Sequence, residues 1–521
     1  MTVPSRLVIV FVVDGLRPDS ITVEDTPTLF RLRAEGVSFT NGHAVFPTVT
    51  RVNSAALSTG MQPGRNGIVG NQMYVPAVDP ARAFGTDNYR SLLELDHATG
   101  GRLVLGPTLA ERLDALGLRL AAIGSGSTGS TFLLNPKAPS GVGVLVNGYF
   151  DPGKTVAYPP DVNAMVLAKF GPAPPKGGAT DRYDASVSWT QRVLREYVLP
   201  ELGPAVVIDW LTEPDHTQHN LGVGSPSARE ALQHDDREIA GVLATLDELG
   251  LAATTDVFVV SDHGFTRNTA GVDVARELVD AGLKASRDSG DVVLASSGQA
   301  VALHVQNHDA ERIARIARFV QSREWGGVVF VAGRAPDDSR GAVTGTFALE
   351  LIHAANRERS GDLLFTFPWS SRPNAFGVPG TDMANVTGGA APLASDHGSM
   401  SPWNVGTTLV AWGVDFKKGA TVRAPAGNVD VTPTLLTLLG ITERDGIDGR
   451  VLVEALDGGP DEEQVTVNTR VHTWRPARIA PPSRSRRWRG AATSTRAGAF
   501  GEPPKESPWN SARPSSSRTT R

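Results

Sequence analysis

Cysteine is absent from all 521 residues, so neither a disulfide nor a thiolate metal site can be built. Any metal must be held by oxygen and nitrogen. No apolar run is long enough to span a bilayer. A readable export signal is missing too: Arg6 precedes an apolar stretch, but Asp14 and Arg17 interrupt it before any small-residue cleavage site, so it reads as the first core strand. The charge is not evenly spread. From Arg470 to Arg521 there are twelve Lys and Arg against two Asp and Glu, a balance of +10, so residues 1–469 carry −15 within the whole-chain −5. An acidic body is a poor general surface for polyanions, and affinity for phosphate would have to be local and metal-borne.

What is present is the composition of an ordinary globular protein, 40% hydrophobic and 20% charged. The length leaves room for several domains of roughly 150 residues, although α/β enzymes often exceed that size as one unit. Short apolar runs rich in β-branched residues occur at 7–13, 120–123, 205–208 and 256–261, each bounded by polar or glycine signals. Helical patterns lie between them, as at Pro107–Leu116 and at Pro226–Leu249, where Ser225 is placed to cap and Gly250 to stop. This alternation predicts an α/β fold with a central, mostly parallel sheet covered by helices on both faces. Ligands of such sheets gather beyond the carboxyl ends of the strands.

Domain organisation follows from the same pattern. Residues 1–264 and 396–456 are expected to form the core, with a further strand at 407–412 and a helix at 430–439, while strands at 300–305 and 327–331 and a helix at 310–321 fall in the stretch between. Residues 265–395 then form a smaller inserted, cap-like subdomain. Residues 457–521 read as a disordered basic tail, because runs such as Pro481–Arg489 show no periodicity. A basic tail could recruit nucleic acid or anionic lipid, but a solvated tail is the simpler reading.

Chemistry concentrates where the strands end. Asp14 follows the first strand, Asp215 and His219 follow the third, Asp262-His263 follows the fourth, and His397 stands before Gly398. A lone histidine is more often a core or surface residue than a ligand, but pairing changes the odds. Asp215 and His219, four apart, share one face of a helical turn, and Asp262 and His263 share a strand end. His216 and Asp396 are close enough to be decoys. A second constellation, Phe46-Pro-Thr-Val-Thr50 leading into a small-residue helix, sets a hydroxyl at a helix N-terminus. That threonine is an N-cap or, with a divalent ion beside it, a nucleophile.

Six ordered motifs, Asp14-Gly-Leu-Arg17, Pro47-Thr-Val-Thr50, Gly67-Ile-Val-Gly-Asn71, Glu213-Pro-Asp-His-Thr-Gln-His219, Ser261-Asp-His-Gly264 and Asp396-His-Gly398, resemble the signature of the alkaline phosphatase superfamily. The resemblance covers residues 5–456 and points to the type I phosphodiesterase/nucleotide pyrophosphatases. It implies an alkaline-phosphatase-like fold and two divalent metal ions, expected to be zinc. Thr50 would be the nucleophile and Asn71 a donor to a non-bridging phosphate oxygen. One metal would be held by Asp215, His219 and His397, the other by Asp14, Asp262, His263 and the Thr50 oxygen. The expected partner is a small phosphodiester or nucleotide substrate, and since such proteins are often exported, location stays open.

Two departures bear on substrate. Where family members commonly carry Phe-Pro-Asn or Asn-Pro-Asn after the nucleophile, this chain has Arg51-Val-Asn53, with Arg51 either meeting phosphate or pointing away. The related monoesterases and phosphonoacetate hydrolases place a Lys-x-Arg or Lys-x-Lys pair after the strand that reads Leu120-Ala-Ala-Ile123 here. This chain continues Gly124-Ser-Gly-Ser-Thr-Gly-Ser130, without a cation. A diester carries less negative charge than a monoester, so the missing pair favours a diester, unless a lysine such as Lys137 approaches from elsewhere. A phosphonatase or monoesterase is the nearest alternative activity, and a metal-containing binding protein with a polyanion-binding tail the alternative of another class. A sulfatase is disfavoured by the absence of cysteine.

Overall fold

Seven consecutive apolar residues form β1 (Leu7–Val13), and all are buried because the strand is covered on both faces. Successive side chains point to opposite sides of a strand. Accordingly Val8, Val10 and Val12 enter one core, with Leu435 and Leu436, while Leu7, Ile9, Phe11 and Val13 enter another, with Leu29 and Leu32. Each such residue contributes about 2 kcal/mol of burial, offset by about 1–2 kcal/mol for fixing its backbone. The computed structural model describes residues 6–335, 337–386, 394–473, 490–494 and 498–500.

Around β1 lies a nine-stranded sheet. Its other strands are β2 (Val37–Phe39), β3 (Leu120–Gly124), β4 (Val144–Asp151), β5 (Thr155–Tyr158), β6 (Val206–Leu211), β7 (Thr255–Val260), β8 (Leu409–Gly413) and β9 (Ala420–Val422). The order is β9-β2-β8-β7-β1-β6-β3-β4-β5. Pairing is parallel through β7, β1, β6, β3 and β4 and between β2 and β9. It is antiparallel where β8 joins β7 and β2, and where β5 returns along β4. The fold is thus α/β with a large, mostly parallel mixed sheet. The antiparallel β8 is where the chain re-enters the sheet after the long excursion from β7.

Three helices position the chemistry: α1 (Thr50–Thr59), α2 (Asp215–Leu221) and α3 (Pro226–Glu248). The expected start of α3 is present as a cap, with Ser225 Oγ accepting from the Ala228 N–H at 3.2 Å. Its apolar face sends Leu232, Ile239, Val242 and Leu246 into the second core. Gly250 follows with φ +69°, a conformation that suits glycine.

Between β7 and β8 the chain builds a five-stranded sheet from Val292–Ser297, Ala300–Val305, Leu363–Thr366, Val329–Val331 and Phe347–Ala348. It has its own core, in which Val301, Leu303 and Phe365 meet Ile316 and Val320 of the helix Ala310–Ser322. A four-stranded strip ties this lobe to the main body, running Trp369–Pro373, Pro379–Asp382, Thr266–Asn268 and Ser395–Asp396. Within 457–521, Thr469–His472, Gly490–Ser494 and Gly498–Phe500 pair as antiparallel strands. The rest of the basic stretch, 474–489, 495–497 and 501–521, lies outside the described residues. Among the described residues no helix is long and apolar enough to cross a membrane.

Candidate active site

The parallel register brings three strand ends level, Val12 opposite Val260 and Val13 opposite Leu211. Asp14 therefore emerges beside Asp262 and His263, and the short connection after β6 delivers α2 to the same place. Glu213 fixes that helix by accepting from the Thr217 N–H at 3.1 Å, the Thr217 hydroxyl at 2.9 Å and the Tyr183 N–H at 2.8 Å. Asp215 and His219 then stand one turn apart, with His219 Nε2 3.4 Å from Asp215 Oδ1.

Glycine is required after both of the other histidines. A side chain at Gly264 would meet the Trp403 carbonyl oxygen at 2.0 Å, and one at Gly398, whose φ is +116°, would meet that of Ser297 at 2.3 Å. These close backbone approaches set His263 and His397 ring to ring, with centroids 3.4 Å apart and planes inclined by 11°.

All three histidines are oriented alike. His263 Nδ1 lies 3.1 Å from the Gly264 carbonyl, His397 Nδ1 2.9 Å from that of Thr48, and His219 Nδ1 3.2 Å from that of Ser395. A carbonyl can only accept, so each ring donates from Nδ1 and turns its Nε2 inward. The Nε2 atoms of His219, His397 and His263 are 3.4, 3.6 and 3.9 Å from Asp215 Oδ1. His263 Nε2 is also 3.5 Å from Asp14 Oδ1, 3.0 Å from Asp262 Oδ2 and 3.3 Å from the Thr50 hydroxyl.

The outward oxygens of the carboxylates are anchored. Asp14 Oδ2 accepts from the Trp210 indole at 2.9 Å, and Asp262 Oδ1 from the Gly15 N–H at 3.1 Å. Their inward oxygens, Asp14 Oδ1 and Asp262 Oδ2, and also Asp215 Oδ1, are buried without a hydrogen-bond partner. Burial pushes the Asp14 carboxyl well above the ordinary range, and the charges of Asp215 and Asp262 push it further. For Asp215 burial acts the same way, but His219, His397 and His263 outweigh it and hold the group low. Orphaned carboxylate oxygens facing imidazole Nε2 atoms, with no thiolate, are a donor set suited to divalent transition ions.

Two groups of such atoms converge among the described residues: Asp215 with His219 and His397, and Asp14 with Asp215 and His263. They share Asp215, which the sequence reading gave to one metal only. Asp262 sits beside the second group through its 3.0 Å approach to His263. Thr50 opens α1, buried at 4% exposure, while Asp215 and His219 are partly exposed, so the centre is reached from their side. Asn71 is held on the opposite chain segment by Ser297 Oγ, which accepts its N–H at 2.9 Å, and its Oδ1 accepts from the Arg51 N–H at 3.2 Å. That leaves the Asn71 amide nitrogen as a donor.

The decoys separate. His216 stacks on Tyr183 at 3.9 Å, and Asp396 accepts from Asn385 at 2.9 Å and joins neither group. Lys137 lines a different cavity of about 290 Å³, with Asp96, Leu103 and Phe132. Sequence reasoning missed Trp210 and the carbonyls of Thr48, Gly264 and Ser395. Backbone carbonyls leave no trace in residue identity, and Trp210 is one more large residue in an apolar run.

Residues 8–368 match the family described as Type I phosphodiesterase / nucleotide pyrophosphatase. Over 267 residues the chain is 23% identical to ectonucleotide pyrophosphatase/phosphodiesterase family member 1 of Homo sapiens. Over 263 residues it is 22% identical to the Mus musculus protein of that name. Each match takes in 50% of this chain but 24% of the relative. A crystal structure of a mutant of the alkaline phosphatase PafA superposes with a TM-score of 0.65 at 14% identity, covering 88% of this chain and 100% of that one.

Proposed function

The chain belongs to the type I phosphodiesterase/nucleotide pyrophosphatase family of the alkaline phosphatase superfamily, and from that premise we propose that it cleaves phosphodiester or pyrophosphate bonds of nucleotide-type substrates through a phosphothreonine on Thr50. The observation that carries this reading is the Thr50 hydroxyl, at the first turn of a helix and 3.3 Å from His263 Nε2, beside three orphaned carboxylate oxygens.

Asp215, His219 and His397 would hold one divalent ion and Asp14, Asp262, His263 and Thr50 the other, with Asp215 in reach of both. Two such ions, zinc in our reading, supply Lewis acidity and make a hydroxyl ionisable near neutral pH. With its proton released to solvent, Thr50 Oγ1 attacks phosphorus in line with the leaving oxygen, forming the Thr50 O–P bond as the opposite P–O bond breaks with its electron pair on the departing group. The Asn71 amide donates to an equatorial oxygen, and the free N–H groups of the first turn of α1 add positive potential. Water then cleaves the phosphothreonine, releasing the phosphorylated product and restoring the hydroxyl. The lobe 265–395 serves as the cap beside the entrance.

Replacing Thr50 with alanine tests the assignment. Turnover should fall by about a thousandfold or more while metal content stays near that of the parent. Near-normal turnover of a diester by Thr50→Ala would overturn it. Chelation should abolish activity, and added zinc should restore it.

A further inference from the structure

Among the described residues Arg51, the residue after the proposed nucleophile, has no partner for its charge. Its Nε is buried without a hydrogen bond, and among the described residues its guanidinium makes neither an ion pair nor a side-chain hydrogen bond. A partly desolvated cation left unpaired is costly, and an arginine does not escape that cost by losing its proton. Burial disfavours its charged form, and Asp87, Asp14, Asp215 and Asp262 are the carboxylates whose charges oppose that cost.

The backbone fixes its position. The Arg51 N–H is bonded to Asn71 Oδ1, so Arg51 and the proposed phosphate donor are neighbours on one wall beside Thr50. Thr86 braces that wall, donating from its N–H at 2.9 Å and its hydroxyl at 2.8 Å to the Asn71 carbonyl. The next residue, Asp87, is exposed at the rim. Lys176, whose ammonium lies 4.8 Å from the Tyr149 ring centre, also feels the Asp87 charge.

We propose that Arg51 is the specificity-determining residue of this site, binding an anionic phosphate oxygen beyond the single charge that a simple diester carries. Two parallel N–H donors on a planar cation match two phosphate oxygens. The extra oxygen can belong to the reacting group, as the third oxygen of a monoester, or to the neighbouring phosphate of a pyrophosphate bond. The inference rests on that reading only in placing the phosphate beside Thr50. It also answers the cation-free loop Gly124–Ser130: the positive charge comes from another segment, so the absence of a lysine–arginine pair does not select simple diesters.

The test uses the full chain loaded with zinc and three substrates: bis(4-nitrophenyl) phosphate, 4-nitrophenyl phosphate and a nucleoside 5′-triphosphate. Binding of inorganic phosphate is measured separately by calorimetry. Arg51→Gln should lower kcat/KM for one or both of the more highly charged substrates about tenfold to a hundredfold relative to the diester. It should weaken phosphate binding by a similar factor at unchanged metal content. Arg51→Lys should recover part of the loss, and Asp87→Asn, which removes a competing anion at the rim, should move the ratio the other way. A loss confined to the monoester assigns the contact to the reacting phosphoryl group, and one confined to the triphosphate assigns it to the neighbouring phosphate. Equal losses on all three substrates, or phosphate binding unchanged in Arg51→Gln, would overturn the proposal. A chain that turns over none of the three yet binds phosphate through Arg51 sinks the hydrolase reading and keeps this one.

Discussion

Asp215 is the residue whose loss should weaken both metals at once. Its Oδ1 stands 3.4, 3.6 and 3.9 Å from three imidazole nitrogens and belongs to both convergent groups. Asp215→Asn keeps the size of the side chain and removes its charge. Even groups that only orient a ligand change metal affinity by about 10- to 100-fold, so losing a shared carboxylate should cost at least about 100-fold at each site. At a zinc concentration about 100 times the parental Kd, each site stabilises the fold by about 2.7 kcal/mol, and a 100-fold weaker site by only about 0.4 kcal/mol. The difference over two sites is about 4–5 kcal/mol. Unfolding entropy for a chain of this length is roughly 1 kcal/mol per degree, so Tm should fall by about 4–5 °C. Metal analysis after equilibration in buffered zinc should show a clear fall from about two equivalents in the variant. His219→Ala, which touches one group, should keep about one equivalent and show about half the Tm change. Should Asp215→Asn retain one equivalent at parental affinity, the shared position would be wrong and each metal would have its own carboxylate.

Three further outcomes follow from the geometry. Asn71→Ala should reduce kcat by about 100- to 1,000-fold with metal content intact, as expected for a lost donor to a developing charge; a change in KM alone would count against that role. Trp210→Phe, which removes the 2.9 Å indole donor to Asp14, should weaken binding of the second metal by about 10- to 100-fold, read by competition with a chelating dye. Asp209 lies fully buried on β6 and accepts from Gln191 Nε2 at 3.0 and 2.8 Å. Burial raises its carboxyl to about 7, against the opposing hydrogen bond from Gln191. Its folded-state value lies above the unfolded one, so its contribution is fully present below about pH 4 and is lost as pH rises toward 7. Asp209→Asn should therefore gain stability over the parent by up to a few kcal/mol at pH 8 and little at pH 4.5. Equal differences in Tm at the two pH values would refute it.

Much of the frame was legible in the sequence because it is written in local patterns. β1 (Leu7–Val13) and the strand Ala300–Val305 match their apolar runs, and α3 begins at the serine and proline that predict its start. Strand-end acids and glycine-flanked histidines likewise stand where the chain must turn, so the ligand candidates could be named residue by residue. The antiparallel β8 was less legible, since an apolar run has the same composition whichever way it enters a sheet.

The sequence alone therefore named the candidate metal ligands and where the main strands and helices form, since both depend on residue type and short-range spacing. Only the tertiary structure decided how those groups face one another. Trp210 reaches Asp14 across 196 residues, and the Thr48 carbonyl fixes the His397 tautomer across 349. Asp215 falls between both groups, and among the described residues the Arg51 Nε finds no hydrogen-bond partner. Each of these depends on sheet order and on backbone atoms whose chemistry is the same in every residue, so no spacing along the chain could announce them.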